Sequence, residues 1–231
     1  MNTKKQLGCF VNLSHVRYQE AWDFQQLRLQ ERVEDRCVDT LLLVEHEPVF
    51  TLGRTAQDEH WKRQGQSITG QGFGLYAIER GGSVTYHGPG QVVGYPIVRL
   101  RNFCQGPKAY VGLLQDVIVR VLADWNIRGQ PKAKFPGVWV EGNGSVLEKI
   151  AAIGVRITRG VTMHGFALNV NVDLMPFDLI TPCGIAGCHV TSMQHYLGEQ
   201  VNMIKVRERL AYHFAEVFGL EWKERSNRLP T

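Results

Sequence analysis

No stretch of this 231-residue chain is apolar for long enough to cross a bilayer as a helix. Cysteine is scarce. The five residues Cys9, Cys37, Cys104, Cys183 and Cys188 are odd in number and lack framework spacing. That excludes a disulfide scaffold and fits a reducing compartment. There is no Lys/Arg run, and the formal net charge of +4 is too small to argue for nucleic acid. Leu7-Gly8-Cys9 hints at a lipoprotein signal, but the apolar segment such a signal needs is missing. A P-loop, internal repeats, low-complexity tracts and an interdomain linker are also lacking. With 44% hydrophobic and 21% charged residues, the chain has the composition of a globular protein. The expectation is one soluble, cytoplasmic domain over 1–231, with a short flexible tail from about 224.

The chain does have glycine, 24 residues in all. Many lie between 65 and 106, where tight turns are expected. Ser14 has the character of an N-cap, and Tyr18, Ala21, Trp22, Gln25, Leu29 and Val33 form an imperfect stripe, predicting a helix from there to about 33. Residues 40–45 are a continuous apolar run and belong in the middle of a sheet. Residues 49–52, 75–79 and 91–98 read as strands, with Pro96 placing the end of the last at an edge or a bulge. Residues 55–74 read as a loop with one helical turn near Trp61. In 108–125, Tyr110, Leu113, Leu114, Val117, Ile118, Val121 and Trp125 share one helical face, and Pro107 suits the first turn. A hairpin is expected at 138–157 around Gly142-Asn143-Gly144, a strand at 161–172 and a final helix at 201–218. Strands outnumber helices. The fold class is therefore α+β, a mixed, largely antiparallel sheet with packed helices.

Four places carry chemistry. In 80–87 the paired Gly81-Gly82 let backbone N–H groups face a bound group, and Arg80, Thr85 and His87 add donors. A plain hairpin explains these residues equally well. The spacing is not a dinucleotide fingerprint. Cys183, between Pro182 and Gly184, lies in a loop that can expose its sulfur. An unperturbed thiol is only about 3% thiolate at pH 7, so a nucleophile here needs a nearby cation; otherwise it is a small buried hydrophobe. Lys149 stands at the margin of an apolar strand, either snorkelling or desolvated with a role. His164 lies mid-strand on the side of Phe166 and Leu168, as a core histidine or a catalytic one. Cys183, Cys188, His189 and His195 approach zinc-ligand spacing without the separation of a finger, and no metal is assigned.

Four segments, RGGSVTYHGPGQVVGYP at 80–96, KIAAIGVRI at 149–157, HGFALNV at 164–170 and PCGIAGCHVTSM at 182–193, together resemble the lipoyl(octanoyl) transferases, the octanoyltransferases of lipoate biosynthesis. The resemblance implies a biotin/lipoate protein ligase-like fold. It also implies transfer of an octanoyl group from octanoyl-acyl carrier protein to a lipoyl-domain lysine through a cysteine thioester, the first step of protein lipoylation from endogenous acyl chains. By position, Cys183 matches the nucleophile and Lys149 the lysine that favours its thiolate. Arg80, Gly81, Gly82, Ser83, Val84, Thr85, Tyr86 and His87 match segments that line the substrate, as do Ala152, Ile153, Gly154, Gly165, Phe166 and Ala167. His164 is a supporting candidate. No cofactor is implied, since the acyl group arrives on the phosphopantetheine of acyl carrier protein. The other implied partners are the apo lipoyl domains of 2-oxoacid dehydrogenases and the glycine cleavage H protein.

Exchanging one thioester for another and then forming an amide runs downhill without ATP. The difficulty lies in the acceptor amine, less than about one part in a thousand unprotonated at pH 7. Lys149 is the first candidate base, with His87 and His164 behind it. Backbone N–H groups near Gly154 or near Cys183-Gly184 are the expected oxyanion donors. Cys188 would silence the enzyme if oxidation joined it to Cys183. Competing readings are an ATP-dependent ligase on the same fold, a module that only binds lipoyl domains, and a thiol hydrolase.

Overall fold

Leu41, Leu42, Leu43 and Val44 are all fully buried, so the strand that carries them must be covered on both faces. The computed structural model describes residues 5–61, 68, 72–142, 146–184 and 187–226. Its helices are α1 (Tyr18–Val33), α2 (Pro107–Ala123), α3 (Met193–Leu197) and α4 (Met203–Phe218). The strands are β1 (Gln6–His15), β2 (Asp39–Glu45), β3 (Val49–Leu52), β4 (Gly74–Ala77), β5 (Val84–His87), β6 (Gln91–Ile97), β7 (Gln130–Lys132), β8 (Phe135–Glu141), β9 (Leu147–Thr158), β10 (Val161–Asn169) and β11 (Leu220–Ser226).

Eight strands form one sheet in the order β11-β1-β2-β6-β10-β9-β8-β7, and β4-β3-β5 form a second. In the large sheet β1 runs parallel to both neighbours, and every other pairing is antiparallel. The expected mixed, largely antiparallel sheet is present. Alternation along β2 sends Leu41 and Leu43 into a core with Tyr110 and Leu114 of α2 and Phe214 of α4. Leu42 and Val44 enter the opposite core, with Ala21 and Phe24 of α1. Tyr110, Leu114, Val117, Ile118 and Val121 are buried, which is the face read from their spacing. Among the described residues no helix is long and apolar enough to cross a membrane.

Ser14 does not cap α1. It lies in β1 and gives its carbonyl to Arg207, while the Tyr18 amide donates to the Glu47 carboxylate at 3.0 and 3.1 Å. A remote carboxylate serves the helix N-terminus as well as a local hydroxyl would. Pro96 sits in an interior strand, not at an edge, but the β6–β10 ladder stops at Gly94, two residues short of it. Of the expected tail, residues 224–226 belong to β11, paired with β1, and 227–231 lie outside the described residues. So do residues 143–145 of the hairpin turn, although the Gly142 amide closes onto Val146 O at 2.9 Å. The turn near Trp61 is a 3₁₀ turn, Asp58–His60.

Candidate active site

The ladder between β8 and β9 ends at Ala152, leaving the rest of β9 with a free edge on that side. The loop after β4 docks there, with the Gly81 amide donating to Val155 O at 3.0 Å. Approach this close needs glycine at 154, where a Cβ would lie 2.8 Å from Gly81 O. Between this loop, β5, β6 and β10 lies a cavity of about 480 Å³.

Arg80, Gly81, Gly82, Ser83, Thr85 and His87 line it from the loop and β5. Lys149, Ala152, Ile153 and Gly154 line it from β9, His164, Gly165, Phe166 and Ala167 from β10, and Cys183 from the turn 182–184. Val84 and Tyr86 do not. Strand alternation turns them into a separate core with Phe50, Phe177 and Ile180. Sequence reasoning missed Tyr18, Ile78, Val93, Tyr95, Val111 and Phe135, which also line the cavity. They come from elements scattered along the chain; Val93 and Tyr95 lie within the matched segment 80–96, and no motif marks the other four.

The thiol is held by backbone geometry. Cys183 has φ 58° and ψ 15°, a left-handed conformation that costs a non-glycine residue roughly 1–2 kcal/mol. The turn is tied down on both sides, by Gly184 N to Thr181 O at 2.9 Å and Thr181 N to His60 O at 2.7 Å. Downstream, Lys149 N donates to His189 O at 2.8 Å and Thr191 N to Lys149 O at 3.0 Å. These bonds bring residues 34 apart in sequence together, and Lys149 Nζ donates to Cys183 Sγ at 3.1 Å. Lys149 is 3% exposed, with its ammonium 4.8 Å from the centre of the Trp139 ring. The lysine nitrogen thus holds the sulfur in place, and the indole face offsets part of the hydration that the buried amine loses. Because the Gly184 amide is committed to Thr181, it is not available as an oxyanion donor.

Arg80 is a second buried cation. It donates to Thr51 O at 2.8 Å, Thr51 Oγ1 at 2.9 Å and Gly81 O at 3.0 Å. Burial lowers its proton affinity, while charge on Cys183 acts in the opposite direction. With its donors spent on the protein, Arg80 supplies positive potential more than substrate contact.

The cavity histidines are different. His87 Nδ1 lies 2.7 Å from Gln91 Oε1, Gln91 Nε2 donates to Asn169 Oδ1 at 2.8 Å, and Asn169 Nδ2 donates to Thr191 O at 2.9 Å. The chain of bonds fixes each amide orientation, so Nδ1 carries the His87 proton. Burial, then the neighbouring His46, Arg80 and His164, pushes His87 down to about 3. Burial and Arg80 push His164 down to about 3 as well. Both rings are neutral near pH 7 and hold a proton too weakly to serve as the base expected of them. Neither ring nitrogen of His164 has a protein partner. Burial raises the Cys188 thiol against the pull of Lys149. No group of three or more His, Cys, Asp or Glu among the described residues is placed to hold a metal ion.

The fold is that of the lipoate protein ligases. The bipartite lipoate protein ligase of Thermoplasma acidophilum superposes with a TM-score of 0.72 at 14% identity, covering 96% of this chain and 87% of that one. The model of the lipoyl protein ligase A/B catalytic domain matches residues 17–215. An octanoyltransferase of Flavobacterium psychrophilum is 42% identical over 219 residues, 90% of this chain and 94% of that protein. One of Christiangramia forsetii is 40% identical over 224 residues, 92% and 96% of the two chains. The chain therefore belongs to the lipoyl protein ligase A/B catalytic domain family and, within it, to the octanoyltransferases, which are acyltransferases.

Proposed function

We propose that the chain moves an octanoyl group from octanoyl-acyl carrier protein to the lysine of apo lipoyl domains, through a thioester on Cys183. The observation that carries this reading is the 3.1 Å contact from Lys149 Nζ to Cys183 Sγ at a largely apolar cavity. A binding module needs neither residue, and an adenylate-forming ligase needs no thiol. In the first half-reaction the Cys183 thiolate attacks the donor thioester carbonyl. The carrier's phosphopantetheine leaves as a thiol, taking its proton from Lys149. The acyl chain then lies along Ala152, Gly154, Gly165 and Ala167, small residues that leave it room. In the second half the acceptor amine attacks the Cys183 thioester and the amide leaves.

The acceptors are lipoyl domains of 2-oxoacid dehydrogenases and the glycine cleavage H protein, in the cytoplasm. No cofactor beyond the carrier's own arm enters the scheme. The test combines the protein, octanoyl-acyl carrier protein and an apo lipoyl domain without ATP. The expected product is octanoylated lipoyl domain. Product formed only from free octanoate and ATP would replace this reading with the ligase one. Free octanoate released with no acceptor present would favour a hydrolase.

A further inference from the structure

We propose that His60, acting through the Ser83 hydroxyl, takes the proton that the acceptor amine gives up in the second half-reaction; this rests on the transfer reading above. Ser83 is buried, lines the cavity and sits with Oγ 2.7 Å from His60 Nδ1. The Gln57 amide also donates to Nδ1, at 3.2 Å. In the neutral ring Nδ1 is therefore the bare nitrogen, the hydrogen sits on Nε2, and the serine O–H points at a base.

The ring adjoins the nucleophile's own turn. A Cβ built on Gly184 would lie 2.9 Å from His60 Cε1, and the His60 carbonyl holds the Thr181 amide. His60 is part-exposed, so a proton it receives can leave to water. The buried His87 and His164 have no such exit. The titratable groups on the elements packed against His60 are Cys183, bonded to Lys149, on the thiol turn and Arg80 on the Ser83 loop. Asp58 and Glu59 share its own turn.

In the step itself, the neutral amine nitrogen bonds to the thioester carbonyl carbon. Its surplus proton passes to Ser83 Oγ as the serine proton moves to His60 Nδ1. The C–S bond then breaks, leaving the amide, a Cys183 thiolate and a His60 imidazolium that discharges to solvent. Lys149, neutral since it gave its proton to the carrier thiol, takes one back from solvent and restores the Lys149–Cys183 pair. Ser83 is the group that touches substrate, and His60 is the acceptor behind it.

The experiment isolates octanoyl-enzyme and measures its aminolysis by an apo lipoyl domain across pH 5.5–8.5, with acylation measured separately. The variants are His60→Asn, whose amide oxygen can accept the same two bonds but holds no proton, Ser83→Ala and Ser83→Thr. His60→Asn and Ser83→Ala should slow aminolysis about a hundredfold, far more than acylation. They should also make its rise with pH less steep across pH 5.5–8.5, because the acceptor amine then contributes to that rise without a second proton acceptor behind it, and Ser83→Thr should restore it. Wild-type aminolysis and pH profile in His60→Asn would overturn the proposal, as would equal slowing of both halves, which marks a structural part in the thiol turn. Failure of the wild type to form octanoyl-enzyme would instead sink the reading beneath it.

Discussion

The mouth and the floor of the cavity hold the same kinds of side chain and give them opposite fates. At the floor, His87 and His164 line the cavity and His46 packs behind His87; all three are buried and pushed down, to about 3, 3 and 4. Their bonds run to fixed partners or, for His164, to none. At the mouth, Lys149 is bonded to a thiol and His60 to a hydroxyl, both on the cavity wall. A titratable group takes part in proton transfer when it touches an exchange partner and can also pass the proton on: His46 meets the Tyr95 hydroxyl on the cavity wall at 2.7 Å but is buried, whereas His60 is part-exposed. Deep burial without such an outlet turns an imidazole into neutral lining.

The largest expected effect breaks the mouth outright. Cys183→Ser should lower acyl transfer by about 10⁴-fold or more, because a serine hydroxyl beside Lys149 is a far weaker nucleophile than a thiolate. Activity within tenfold of wild type would remove the thiol from the mechanism. Lys149→Ala comes next, with acylation expected to fall about 10²–10³-fold at pH 7 and visibly less at pH 9, where hydroxide can ionise the thiol unaided. Slowing that is equal at both values would leave Lys149 a packing role only.

The floor makes a different prediction, in stability. A histidine ordinarily titrates near 6.5, and each of these is held lower in the folded state. Between the two values the unfolded chain binds protons that the folded one does not. The stability they hold is complete above about 6.5 and lost as pH falls toward the folded values. Each site contributes a slope of at most about 1.4 kcal/mol per pH unit. Denaturant unfolding from pH 7 to 4.5 should show this fall, and His164→Phe should reduce the slope by about one proton. An unchanged slope would mean that His164 is not kept neutral by its site. The smallest effect sharpens the contrast: His87→Gln should change kcat only modestly and leave the pH dependence of aminolysis between 5.5 and 8 in place.

Legibility in the sequence follows the range of the forces involved. The periodic face of α2 and the apolar run of β2 are local patterns tied to burial, and both are where their residues predicted. Pro182-Cys183-Gly184 also reads locally, since flanking proline and glycine place a thiol in a turn. Other features depend on contacts between distant segments. β11 carries Glu221, Lys223, Glu224 and Arg225 and looks like a tail, yet it pairs with β1 and packs Trp222 on Phe10 and Phe214. The overlooked β1 has apolar residues on both faces, Phe10 toward one core and Val11 toward the other, with no alternation to announce it. Val84 and Tyr86 belong to the matched segment but not to the cavity, because motif identity does not say which way a strand residue points. His60 lies in a polar stretch without period, and its placement depends on Ser83 and Gly184.

The most direct test of the account is intact-mass analysis after mixing with octanoyl-acyl carrier protein, without ATP and without acceptor. Wild type should gain the mass of one octanoyl group, removable by neutral hydroxylamine, and Cys183→Ser should gain no thioester. A hydroxylamine-labile adduct that survives Cys183→Ser, or no adduct on wild type, would contradict it.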